Sequence, residues 1–166
     1  MILGLSLHAF TVLHVIISIV ELFAGAVIVL QMLSGERSGL NFPFLLMAVL
    51  TTITGFMFPY HGRTPGIVLG FITLPFLLLA AVAWYTGRLR GAWRAIYVLS
   101  ILILFYLDAF VAVAQAFMKI PALHALAPHG NEPPFAVAQG LLLLVFIILG
   151  FLAVKRFRPA AQIDAR

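Results

Sequence analysis

Two carboxylic acids set in hydrocarbon carry the strongest chemical signal in this chain. Glu21 lies near the centre of the first long apolar run and Asp108 near the centre of the fourth, with no Lys or Arg at the same depth. A carboxylate at a bilayer midplane costs roughly 3 kcal/mol on insertion-based scales. A chain that keeps two must pair them, protonate them or use them. Both are expected to be neutral at rest, through protonation, a bound cation or a protonated His14. If they are close, their protons belong to the pair.

Spacing adds partners to each acid. Thr11, His14, Ser18, Glu21 and Gly25 recur every three or four positions, so on a helix they form one polar, small-residue stripe. In lipid that stripe must face protein or water. A helix–helix contact glued by small and polar residues accounts for Thr11, Ser18 and Gly25; it leaves Glu21 unexplained. His14 and Glu21 are about 10 Å apart along the axis, so only a water or Ser18 can link them. In the fourth run Asp108, Ala112 and Gln115 share a face, and in the second Thr51, Thr54 and His61 do. The third run offers Gly66 and Gly70 at small-xxx-small spacing, Thr73, and a kink at Pro75. The fifth contributes Gln139.

The elements that must hold these residues are membrane spans. Hydrophobic residues make up 64% of the chain and charged ones only 9%, far from a soluble domain. A span needs about 20 apolar residues, and five runs qualify: residues 8–32, 42–60, 66–86, 95–118 and 135–154. The second is the shortest; it and the third form either a tight helical hairpin or a re-entrant pair, and the hairpin is preferred because both can span. The connections are too short for an extramembrane domain. The fold class expected is therefore an all-α integral membrane bundle of five transmembrane helices, one domain over residues 1–157 with a short cytoplasmic tail at 158–166. The first run lacks a basic n-region and a clean cleavage site, and reads as a retained helix rather than a signal peptide.

Charge sets the orientation. Arg37, Arg88, Arg90, Arg94, Lys155, Arg156, Arg158 and Arg166 fall on one side of this topology, and Arg63 and Lys119 on the other. By the positive-inside rule the N-terminus faces out and the C-terminus in. Trp84, Tyr85, Trp93 and Tyr97 then fit a cytoplasmic aromatic belt, with Tyr60 at the outer edge. The positive excess serves topology and anionic lipid heads, not nucleic acid.

With sides assigned, the polar side chains concentrate in the outer half. They predict a cavity that opens outward and reaches the midplane, lined by His14, Ser18, Glu21, Thr54, Asp108, Gln115 and Gln139. All five histidines, His8 included, fall on the outer side. His14, His61, His124 and His129 are the candidate ligands for a haem b or a divalent metal, with His14 and His61 as a bis-histidine pair. A histidine tolerated at a polar interface is the plainer account of His8, His124 and His129. The chain has no cysteine, which excludes disulfides, thiolate metal sites and covalently attached haem.

Two segments carry a resemblance: Gly55-Phe-Met-Phe-Pro-Tyr-His-Gly-Arg-Thr-Pro-Gly-Ile-Val-Leu-Gly70, and Lys119-Ile-Pro-Ala-Leu-His-Ala-Leu-Ala-Pro128 with Glu132-Pro-Pro-Phe135. In these the chain resembles an uncharacterised group of small bacterial polytopic membrane proteins. The resemblance implies a multi-pass protein of the bacterial cytoplasmic (inner) membrane and nothing chemical.

Three classes of function follow. One is a membrane protein whose outward site binds a cation, metal, haem or quinone. The second is a proton-coupled small-solute carrier working through Glu21 and Asp108. The third is an accessory or scaffold subunit, in a homo-oligomer or a larger membrane complex. The sequence holds no Gly-rich phosphate loop, nucleophile elbow or His-Glu-x-x-His helix, so enzymatic chemistry has no motif behind it. The binding protein is the reading preferred.

Overall fold

A computed structural model describes residues 1–59 and 65–158. His61, Tyr60, Arg63 and the tail beyond Arg158 lie outside the described residues. Among those described, six helices account for the fold: α1 (Leu7–Leu33), α2 (Asn41–Phe56), α3 (Pro65–Tyr85), α4 (Ala92–Lys119), α5 (Pro121–His124) and α6 (Pro133–Arg156). The only extended pairing among them is an isolated bridge between Ile2 and Leu5.

Local chemistry sets the helix ends. The Ser6 hydroxyl accepts from the Ala9 N–H at 3.2 Å and caps α1. At the other end Gly35 takes φ +82°, which lets the Glu36 N–H reach the Gln31 carbonyl and its own N–H reach Met32. That is a Schellman stop, and it needs a residue without a Cβ penalty. Proline opens α5 and α6, where its missing N–H costs nothing.

Four helices, α1, α3, α4 and α6, are long and apolar enough to cross a membrane, and α2 is a shorter apolar helix. The expected run to residue 60 stops at Phe56, because Pro59 cannot donate to a helical ladder and disfavours helical backbone at Phe58. The Pro75 position, by contrast, lies within a continuous α3.

Helix α4 is the hub, packing against α1, α3, α5 and α6, while α2 packs between α1 and α3. The tightest core lies at one end, where Met32, Phe44, Tyr97, Val98, Ile101 and Phe157 are almost fully buried. Gly25 lets α1 close on its neighbours: a Cβ there would stand 2.9 Å from the Phe105 ring and 3.0 Å from that of Phe44. Gly70 does the same between α3 and the Phe56 ring of α2, while Gly66 faces open space.

The outward faces are hydrocarbon. Ile16, Ile19 and Phe23 of α1 and Val137, Leu141, Leu144 and Ile148 of α6 are exposed. Contiguous apolar surface on this scale suits lipid and not water. The chain is a multi-pass membrane protein built as a helical bundle.

Candidate functional site

The α1 stripe does face protein. Glu21 is only 3% exposed, and it is held there because Gly25, one turn further on, brings α1 against α4 and α2. Asp108 of α4 lies within charge–charge range of Glu21, and the Thr51 side chain of α2 comes near its carboxyl without closing a hydrogen bond. Glu21 Oε2, Thr51 Oγ1 and Asp108 Oδ2 are all buried without a hydrogen-bond partner among the described residues. Three helices thus deliver three unpaired oxygens, two from acids, to one level of the bundle. Unmet buried polar atoms of this kind each cost about 1–3 kcal/mol, so their concentration at one place calls for a function.

Two turns toward the N-terminal end of α1, His14 makes the second polar contact. Its Nδ1 lies 2.7 Å from Thr54 Oγ1. That hydroxyl also sits 2.6 Å from the Leu50 carbonyl and 3.2 Å from that of Thr51. A hydroxyl has one proton, and carbonyls only accept. The Thr54 proton therefore goes to the backbone, and the hydroxyl accepts from His14 Nδ1–H. The neutral ring then carries its proton on Nδ1 and keeps Nε2 as the lone-pair nitrogen, free to accept a proton or meet a cation. Phe58 stands edge-on to the His14 ring, with centroids 5.2 Å apart, and packs in turn on Phe10 at 5.1 Å. This aromatic wall was not legible in the sequence, because Phe58 reaches His14 only after the chain turns beyond α2.

The remaining candidates separate. Ser18 is half-buried on the face between His14 and Glu21. Gln139 of α6 is buried and donates from Nε2 to the Phe110 carbonyl at 3.1 Å, leaving its Oε1 unpaired. It pins α6 to α4 two residues from Asp108. Gln115 is on the exposed surface and does not line the interior, since α4 turns that position away from its neighbours.

Among the described residues the histidines do not gather into a metal-sized cluster. His124 at the end of α5 and His129 in the loop before α6 are both exposed, and His61 lies outside the described residues. Among the described residues no three of His, Cys, Asp and Glu gather closely enough to hold a metal ion. His129 is engaged elsewhere: its Nδ1 lies 2.9 Å from Glu132 Oε1, and its backbone N–H donates to the same oxygen. Desolvation pushes the Glu132 carboxyl upward, but hydrogen bonds from His129 and from backbone N–H groups outweigh it and lower its pKa to about 2. Glu132 thereby ties off the loop at the start of α6.

The opposite end has its own polar network. Tyr97, expected in the aromatic belt, is buried and donates to Asn41 Oδ1 at 2.6 Å. Arg94 donates from Nη1 to the Val154 and Phe157 carbonyls at 2.7 and 2.6 Å, closing the C-terminal end of α6. Trp84 stacks on Tyr97, and Tyr85 and Trp93 remain exposed as belt residues do.

The chain matches no protein-family model, no curated protein and no solved structure. Any functional reading therefore rests on its own side chains.

Proposed function

We propose that this is a five-span protein of the bacterial inner membrane, N-terminus out and C-terminus in, that binds a cation at the Glu21–Thr51–Asp108 site. The single observation behind the cation is the set of partnerless buried oxygens on α1, α2 and α4, with no fixed positive charge at their depth. A cation supplies both the missing partner for these oxygens and the missing positive charge. Oxygen donors alone favour a hard ion over a soft one. His14, with Nε2 free, stands on the outer approach to this site.

Thermal unfolding of the purified protein in nanodiscs, scanned over Na⁺, K⁺, Mg²⁺, Ca²⁺, Mn²⁺ and Zn²⁺ at constant ionic strength, tests this. One ion should raise stability by about 2.7 kcal/mol at a hundredfold excess over its Kd, and Asp108→Asn should abolish the gain. A flat response to every ion, in a colourless and metal-free preparation, would remove the cation, metal and haem readings together. The proton-coupled carrier and the accessory subunit would then remain.

The topology has separate support. Arg37, Arg88, Arg90, Arg94, Lys155, Arg156 and Arg158 share one end with the C-termini of α1, α3 and α6. Helix α2, about 24 Å long by its rise, is short of a ~30 Å core, but it is flanked by α1 and α3 and need not match the lipid by itself. A reporter active only in the cytoplasm should signal when fused after Arg166 and stay silent when inserted at Gly130. A silent, stably expressed C-terminal fusion would reverse the orientation.

A further inference from the structure

The lipid-facing side of the bundle is indented between α4 and α6. Leu99, Ile103 and Tyr106 on α4 and Leu143, Ile147 and Gly150 on α6 line an apolar groove of about 320 Å³. Gly150 forms part of its floor; even a Cβ there would come no closer than 3.7 Å to Leu102 Cδ1. At the mouth, Phe151 carries the Lys155 ammonium 4.0 Å above its ring. From Leu143 to Lys155 the helix rises about 18 Å, close to the ~15 Å of hydrocarbon that one leaflet contributes, plus the headgroup boundary. The groove lining, Leu143 to Phe151, covers about 12 Å of that rise, and Lys155 stands one turn beyond its end.

Charge decides the occupant. The described residues at this end include Arg37, Arg88, Arg90, Arg94, Lys155, Arg156 and Arg158, against one acid, Glu36. A second copy of the chain, inserted in the same orientation, would bring its own basic end alongside Lys155 and repel it. A phospholipid with a net negative headgroup brings the opposite charge on the tail that fits the groove. We infer that the α4–α6 groove binds one acyl chain of an anionic phospholipid, with Lys155 meeting its phosphate. The ammonium stands over the Phe151 ring, a weaker partner than a phosphate.

Native mass spectrometry of the purified full chain with phosphatidylglycerol or phosphatidylcholine of matched tails reads this site. The wild-type protein should retain one phosphatidylglycerol about fivefold more strongly than phosphatidylcholine, the contribution of one Lys near an anionic headgroup. Lys155→Gln should erase that preference and leave phosphatidylcholine retention unchanged. Gly150→Leu should fill the groove and lower retention of both lipids at least fivefold, while Gly150→Ala should behave as wild type. Should Gly150→Leu fail to fold, Ile103→Phe blocks the same groove from α4 and should give the same loss. Equal retention of the two lipids by the wild type, or unchanged retention in a folded groove-filling variant, would overturn the site. So would a dimer that either groove-filling variant dissociates, since the groove would then belong to a second copy.

Discussion

Replacing Glu21 by Leu is expected to stabilise the folded bundle and to abolish its response to cations. The substitution removes a carboxyl that is 3% exposed, with an oxygen that has no partner, and puts hydrocarbon in its place. The depth penalty it relieves is roughly 3 kcal/mol on insertion-based scales, offset in part by imperfect packing of a branched side chain in a space shaped around a carboxyl. A gain of about 1–2 kcal/mol in unfolding free energy is the expected net. Glu21→Gln keeps the shape and a neutral polar group, and should fold normally while losing the ion. Stability and ligand response should therefore move in opposite directions, as at a site kept for function. A Glu21→Leu protein that is functionally normal, or markedly less stable, would make the α1 stripe packing glue.

The largest loss of stability is expected from Arg94→Gln. Its guanidinium holds the Val154 and Phe157 carbonyls at 2.7 and 2.6 Å, two of the acceptors that every helix leaves unpaired at its C-terminus. Hydrogen bonds from a charged donor contribute about 1.5–3 kcal/mol each, and Phe157, buried against Tyr97, loses its anchor with them. A destabilisation of about 3 kcal/mol should appear in denaturant unfolding, with the cation response intact because the site lies far along the bundle. A loss below about 1 kcal/mol would mean that solvent already satisfies those carbonyls.

The contrast between these two residues marks where the sequence stops being informative. Glu21 was legible as a functional candidate because its signal is one-dimensional: an acid at the middle of an apolar run is anomalous wherever the neighbouring helices lie. The all-helical membrane class, the breaks between helices and the uneven distribution of Lys and Arg are of the same kind, since lipid thickness and backbone satisfaction constrain each segment separately. Arg94 read only as one topological charge among eight, and Tyr97 only as a belt aromatic. Their hydrogen bonds to Phe157 and Asn41 join residues 63 and 56 positions apart, and no local period encodes such pairs. Likewise Gln115 shares a helical face with Asp108 in the sequence, but the helices packed around α4 leave Asp108 half-buried and Gln115 exposed. The sequence by itself determined which side chains lipid cannot tolerate unpartnered. Only the packing of α1 against α2 and α4, allowed by the missing Cβ of Gly25, decided that Glu21, Thr51 and Asp108 meet, because proximity between helices is a property of their contact faces in three dimensions.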